Sequence, residues 1–394
     1  MPTAVLDIDL AQPPAQFAVD ARYTRALLLI RWQGVPIGSA RFPVYQGHVA
    51  LVDPHRTLAS ACGWPYWERR FAETMHLTPD GLPARPTPPC TIAICTRERP
   101  DDLRDCLEAI AKLPDDGQEV LVIDNAPRSE ATRRVVEQFP GVRYVREDRV
   151  GLDVARNRAL REATRDIVAF TDDDARPDRG WLRALARNFA DPVVLCVTGL
   201  TAPLELETRA QERFEEESPF GRGFIRKVFD PSRHNPHRSG PLGAGVNMAV
   251  RRSVLESIGG FDEALDAGTP TASGGDHDLF TRVLLAGHRV VYDPAALVWH
   301  RHRRDWASLR RTLQGYGTGV YAAWTKSFLV RGELAAPAMA LGWFWHDQLP
   351  GLLRSVRRHH DRRSVRLVLA ELWGCALGPW AYLRSVLKVG RARR

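Results

Sequence analysis

Asp166-Ile167-Val168-Ala169-Phe170-Thr171-Asp172-Asp173-Asp174 is an apolar run that stops in three consecutive carboxylates. Ile-Val-Ala-Phe-Thr has the length and composition of a buried strand, and a strand ending in acids delivers them to the edge of a sheet. Three adjacent like charges repel one another unless a cation or solvent screens them. A divalent metal would explain the triplet; a solvated acidic turn would do so equally well if the triplet stood alone.

Upstream, the pattern from Cys90 alternates strands with helices, which implies a parallel sheet built from βαβ units. Thr91-Ile92-Ala93-Ile94-Cys95-Thr96 reads as the first strand, followed by a helix opened by Pro100-Asp101-Asp102 with apolar spacing at Leu103, Leu107, Ile110 and Ala111. Glu119 to Asn125 and Val142 to Val145 read as the second and third strands, and Gly151 opens a helix carrying Arg156 and Asn157. The opening run is the fourth strand. Ligands of such open sheets bind beyond the carboxyl ends of the strands. Thr96-Arg97, Asp124-Asn125, Arg156-Asn157 and Asp172 to Asp174 all fall on that edge, which raises the metal reading. Each has an ordinary structural role as an alternative: a turn cap for Asp124, a solvated helix position for Arg156, a helix hydrogen bonder for Asn157.

At these residues the sequence resembles the family 2 glycosyltransferases of the GT-A fold. The resemblance runs through Thr91 to Pro100, Val122 to Ala126, Gly151 to Arg158 and Phe170 to Asp174. It continues in Gly243 to Arg252, Ile258 to Asp262, Gly274-Gly275-Asp276-His277-Asp278 and Val298-Trp299-His300. It implies an α/β, nucleotide-sugar-binding GT-A domain with a mainly parallel central sheet, and an inverting transfer of a sugar from a nucleotide-diphosphate sugar to an acceptor hydroxyl. By the same resemblance Asp172, Asp174 and His300 hold Mn2+ or Mg2+, while Thr96, Arg97, Asp124, Arg156, Asn157, Asp172 and Asp173 meet the donor. The acceptor must lose a proton, and Asp276, in a glycine-flanked loop before a helix, is the candidate base. The family often has Glu-Asp where this chain has Gly275-Asp276, so Asp278, two residues on, is kept as a residue that could share the role. An N-cap is the alternative for one of these two acids.

The remaining sequence divides around this region. At 394 residues, 44% of them apolar, the chain holds two or three domains with ample material for cores. Residues 1–80 read as a small, mainly β domain, 81–89 as a proline-rich linker, 90–305 as the GT-A domain, and 306–394 as a helical, basic, tryptophan-bearing region. His48 and His55 stand alone and suggest no site. The polar stretch Glu205 to Arg233 reads as a mobile loop over the site.

A net charge of +8 favours anionic partners. No nucleic-acid reading motif accompanies it, so no nucleic-acid partner is expected. The expected partners are the nucleotide-sugar donor and an acceptor that is a carbohydrate, a lipid-linked sugar or another glycoconjugate. Arginines interleaved with Trp324, Trp343, Trp345, Trp373 and Trp380 suit a helix lying on an anionic membrane surface, with packing onto protein as the equal alternative. Six scattered cysteines without a Cys-x-x-Cys pair, and an N-terminus without a basic, apolar leader, give a cytoplasmic expectation, peripheral at the membrane face. Two other functions fit the sequence less well: a nucleotidyltransferase using the same metal site, which would need no base at Asp276, and a non-catalytic, membrane-docked binding protein.

Overall fold

The computed structural model describes residues 2–12, 17–51, 53–77, 88–357 and 365–392. Most of the proline-rich linker, including Pro79, Pro83 and Pro86, lies outside the described residues.

Four strands open the chain: β1 (Thr3–Asp9), β2 (Arg25–Trp32), β3 (Val35–Tyr45) and β4 (His48–Val49). They form one sheet in the order β1-β2-β3-β4, with β1 and β2 parallel and the rest antiparallel. Two helices follow, Pro54–Cys62 and Trp64–Thr74. The first begins with Asp53 accepting from the Arg56 amide, and Pro54 at the first helical position, where no amide hydrogen is needed. This unit is fastened to the rest of the molecule by Arg31, whose guanidinium joins Asp7 (2.6 Å) to Asp178 (2.7 Å). Leu29 of β2 also packs on Leu200, Ala202 and Leu297 of the large sheet.

The large sheet contains nine strands: β5 (Cys90–Thr96), β6 (Glu119–Asn125), β7 (Val142–Glu147), β8 (Ile167–Asp172), β9 (Ala175–Pro177), β10 (Val194–Pro203), β11 (Lys227–Phe229), β12 (Asn247–Arg251) and β13 (Arg289–His300). Their order is β11-β13-β10-β12-β8-β5-β6-β7, with β9 paired to β13. The half from β8 to β7 is parallel, as is the β10-β13 pair, whereas β12 runs antiparallel to both its neighbours. The mainly parallel α/β architecture read from the sequence is therefore present.

Side chains alternate across β8: Ile167 and Ala169 enter the core on one face, Val168 and Phe170 that on the other. Both faces are covered, which is why the run is apolar at successive positions rather than at every second one. The stretch Glu205 to Arg233 holds an ordered helix, Arg209–Glu217, started by a capping box in which Thr208 and Gln211 satisfy each other's backbone amides, and then the edge strand β11.

After β13 the chain is helical. Helix Trp306–Arg331 pairs along its length with helix Val365–Ala392, and helices Ala335–Trp343 and Leu349–Arg357 lie between them in sequence. Glycines allow the long pair to approach closely: a Cβ on Gly374 would stand 2.0 Å from the carbonyl oxygen of Gln314. Among the described residues no helix is long and apolar enough to cross a membrane.

Candidate active site

Strand register places the sequence motifs together. Asp124 is level with Thr96, and Asp172 with Cys95, so the carboxyl ends of β5, β6 and β8 finish at one height. Beyond β8 the chain turns through Asp173 and Asp174 into β9, whose Ala175 pairs with His300 of β13. That pairing carries an imidazole to the acidic turn from more than a hundred residues away.

One ligand atom each from Asp172, Asp174 and His300 lies within 4.8 Å of the others. His300 Nε2 stands 3.2 Å from Asp174 Oδ1. Its other ring nitrogen is 3.2 Å from His302 Nδ1, and His302 Nε2 meets Glu215 Oε2 at 3.0 Å. A carboxylate thus fixes one histidine, which fixes the next, the supporting arrangement usual behind an imidazole that offers a nitrogen to a metal. The ring of Phe220 packs edge-on against His300 and limits its rotation.

The acids are crowded. Burial and the charge of Asp174 raise the pKa of Asp172, and the same two causes push Asp173 up to about 7. Asp174 is held well below the usual carboxylate range: its burial is outweighed by His300, Arg303 and Arg99. Arg99 reaches Asp174 at 3.3 Å and Arg303 reaches it at 3.2 Å. Two oxygen donors and one imidazole, in a site with surplus negative charge, match the preferences of Mn2+ or Mg2+ and lack the thiolates that select softer metals.

The other expected donor-side residues divide into two groups. Asp124 is fully buried; its Oδ2 accepts from Tyr144 Oη at 2.9 Å, its Oδ1 has no hydrogen-bond partner among the described residues, and burial raises its pKa against the opposing pull of Tyr144 and Thr132. An acceptor left unpaired at the end of β6 is poised for a ligand donor, such as a base or ribose group. Arg97 is partly exposed beside this edge, with no ion-pair partner among the described residues. Thr96 and Asp173, by contrast, are committed to each other at 2.7 Å, and the second oxygen of Asp173 accepts from Arg99 at 3.0 Å. Asn157 clamps the backbone of Phe261 through both its amide atoms, at 2.9 and 2.8 Å. The expectation that Asp173 and Asn157 touch the donor does not fit this geometry, since the polar atoms that would do so already brace the fold.

Arg156 is buried rather than solvated. It is held by Asp153 at 3.0 Å and Asp266 at 2.9 Å, and its charge lowers the proton affinity of both Asp172 and Asp276. It is therefore a cation shared by the acidic turn and Asp276. Neither Asp153 nor Asp266 was singled out in the sequence, and the same holds for Glu215, Arg99 and Arg303.

Asp276 lies on the helix Gly275–Leu285, not in the loop before it. Gly274, at φ 104°, supplies the left-handed turn that starts the helix. The Asp276 carboxylate accepts from the Gly245 amide at 2.9 Å and from the His277 amide at 2.8 Å. Burial opposes its charge, but His277, Arg156 and these amides prevail, so its pKa is lowered and it is an ionised acceptor at neutral pH. Asp278 is a correction. Two residues on a helix are about 200° apart, which turns its side chain to the opposite face. There its Oδ2 is bound by Arg282 at 2.7 Å and Lys326 at 2.9 Å, and the residue is almost wholly buried. It joins helix 275–285 to helix 306–331, with its carboxylate engaged there and turned away from that of Asp276.

Comparison with known proteins agrees with this geometry. The family described as Glycosyl transferase family 2 matches residues 91–259. The chain is 31% identical over 255 residues to the pre-mycofactocin glycosyltransferase of Mycobacterium tuberculosis, an alignment spanning 60% of this chain and 49% of that protein. The chain thus spans about half the length of that relative. It is 26% identical over 251 residues to the glucosyl-dolichyl phosphate glucuronosyltransferase of Haloferax volcanii, spanning 58% of this chain and 76% of that one. The solved mannosyltransferase PcManGT from Pyrobaculum calidifontis, in complex with GDP-Man and Mn2+, has a TM-score of 0.52 and 20% identity, and covers 84% of this chain and 99% of its own. With its order of strands and the acidic turn at the end of β8, the chain is similar, through residues 91–259, to glycosyl transferase family 2.

Proposed function

We propose that this chain transfers a glycosyl group from a nucleotide-diphosphate sugar to an acceptor hydroxyl in one inverting displacement. The observation that carries the reading is the meeting of Asp172, Asp174 and His300 at the carboxyl edge of the sheet, with the ionised Asp276 linked to them through Arg156. A divalent cation, Mn2+ or Mg2+, bound by those three side chains supplies positive charge for the departing diphosphate.

The protein's own groups do the rest. Asp124 offers its free oxygen to the nucleotide, and Arg97 offers charge to the phosphates. Asp276 accepts the proton of the acceptor hydroxyl as the new oxygen–carbon bond forms at the anomeric centre. The bond from that carbon to the diphosphate oxygen breaks, and the nucleoside diphosphate leaves with the electron pair. Arg156 keeps Asp276 ionised before the proton arrives, while the amides of Gly245 and His277 fix the carboxylate's direction. The GDP-Man and Mn2+ of the solved neighbour support a nucleotide-sugar donor and a divalent cation. The name of the Haloferax relative, which contains a dolichyl phosphate, supports a lipid-linked acceptor as one of the acceptor classes.

The experiment is turnover of a panel of nucleotide sugars with Mn2+ and Mg2+, reading the phosphate product. Release of nucleoside diphosphate supports the proposal. Release of pyrophosphate indicates a nucleotidyltransferase, and binding of donor without turnover by any acceptor extract indicates a binding protein.

A further inference from the structure

Helix Val365–Ala392 is apolar on two opposite faces. One face, with Leu367, Gly374, Cys375, Gly378 and Tyr382, is buried in the molecule, mainly against helix Trp306–Arg331. At about 100° per residue, Leu369, Trp373, Ala376, Trp380, Leu383 and Leu387 lie within an arc of roughly 80° on the other side. Among the described residues nothing covers that second face: Trp373 is 60% exposed, Trp380 62% and Leu387 65%. Over the 19 residues from Leu369 to Leu387 it extends about 27 Å. Helix Leu349–Arg357, packed alongside, also exposes Leu353 and Val356. An uncovered apolar strip of this length on a folded protein marks a place of contact.

The charges decide what is contacted. The exposed charged side chains described on helix 365–392 are Arg366, Arg384 and Lys388, all basic, while its acid, Glu371, is buried. On the same helical projection the three cations fall along one border of the strip, about 60° to 100° from its centre. Two copies of the chain packed antiparallel along the strip would bring these like charges to the same side, and packed parallel would leave a row of unmatched cations on each side. An anionic bilayer surface complements them: the tryptophans and leucines enter the headgroup and acyl boundary, and the cations at the border meet lipid phosphates. Because no described helix can cross a membrane, the contact is with its surface.

We infer that the strip from Leu369 to Leu387, with Arg366, Arg384 and Lys388 along its border, is a docking surface for an anionic membrane. Docking there also orients the site. Gly378 presses helix 365–392 onto helix 306–331, where its Cβ would stand 2.5 Å from Tyr321 Cβ. On the opposite side of that second helix a Cβ on Gly319 would stand 2.1 Å from Ser273 Oγ, three residues before Asp276. Lys326 adds ion pairs to Asp278 and Asp262. Membrane, two helices and the base-bearing segment are consecutive layers, so a docked protein presents its base side at a fixed attitude to the lipid.

This surface stands independently of the transferase reading, because vesicle flotation needs neither donor nor metal. The full chain is floated with vesicles of phosphatidylcholine alone and of an equal mixture with phosphatidylglycerol. The expected result is flotation with the mixed vesicles at low salt, a loss of roughly tenfold or more in bound fraction for W373S/W380S, and loss of the anionic preference for R366Q/R384Q/K388Q. Unchanged melting temperatures show that these exposed substitutions leave the fold intact. Absence of flotation with either vesicle overturns the inference, as does equal flotation of W373S/W380S. A concentration-dependent dimer in sedimentation analysis that W373S/W380S abolishes also overturns it, and assigns the strip to a second copy of the chain.

Discussion

Asp153 fills the space where a side chain at Gly275 would begin: a Cβ built on Gly275 stands 2.0 Å from Asp153 Oδ2 and 2.6 Å from its Cγ. The first residue of the base-bearing helix and the second of the helix carrying Arg156 thus share one volume. Gly275→Ala must displace either the carboxyl or the helix start, a form of overpacking that costs about 1–3 kcal/mol. Removing the carboxyl as well, in D153A/G275A, relieves the clash. Denaturant unfolding of the two single variants and the double is expected to give a non-additive cycle, with the double variant more stable than the two losses summed. Strict additivity would show that the two residues do not compete.

Asp153 has a second consequence, in pH. Its burial and the charge of Asp266 raise its pKa well above the usual carboxylate value, against the pull of Arg156. A folded-state pKa above the unfolded one means that the folded state binds the proton more tightly, so this acid disfavours folding increasingly as pH rises from about 4. Asp153→Asn removes that titration. Relative to the parent, the variant gains stability between pH 4 and pH 8, as measured by the difference in melting temperature; a constant difference would refute the linkage.

Asp278 behaves in the opposite sense. Although burial raises its pKa, the charges of Arg282 and Lys326 outweigh it and the net shift is downward. Its contribution is therefore complete above the unfolded carboxylate value of about 3.9 and is lost as pH falls further, through the folded-state value. Replacing it with Ala leaves the buried Arg282 without its carboxylate and Lys326 with Asp262 alone, at a cost of about 3–5 kcal/mol. Asp278→Ala is expected to lower the melting temperature markedly at pH 7 and by less near pH 2. A stable Asp278→Ala protein that lacked only activity would return this residue to the catalytic candidates.

At the metal side, Asp174→Ala removes one of the three converging ligands together with the partner of Arg99 and Arg303. The parent is expected to show a higher melting temperature with Mn2+, since a ligand at a hundred times its Kd adds about 2.7 kcal/mol. The variant should show no such rise, and His302→Ala, which frees His300 from its support, a reduced one. An undiminished rise in Asp174→Ala would place the cation elsewhere.

For Asp276→Asn the expected loss is in the chemical step. The amide keeps its size but cannot take a proton, so kcat should fall by roughly 10²–10⁴-fold with little change in KM for the donor. Because Asp276 is not among the three converging side chains, the Mn2+-dependent melting shift should persist. Full turnover by Asp276→Asn would dismiss it as the base.

Much of the site was legible because strands that end in polar residues announce the edge at which ligands gather. Asp124, Asp172 and Asp174 could be found that way, since each follows an apolar run by no more than four positions. The roles within a motif were less legible. Asp276 and Asp278 stand two positions apart, yet helical rotation sends one onto the Gly245 amide and the other into an ion pair between helices. Asp172 and Asp173 are adjacent, yet the end of β8 leaves one facing the metal side and the other on Thr96.

By itself the sequence determined the alternation of strands and helices, the acidic turn after β8, and the apolar and basic character of the C-terminal helices. These are local properties, set by side-chain period and by what a strand or helix must bury. Only the tertiary structure decided which distant groups meet. The β9–β13 pairing carries His300 to Asp174, and His302 and Glu215 stand behind it. Asp153 stands against Gly275, and helix packing leaves the strip from Leu369 to Leu387 uncovered. Contacts of this kind depend on register, rotation and close approach between segments far apart in the chain, and no pattern of neighbouring residues records them.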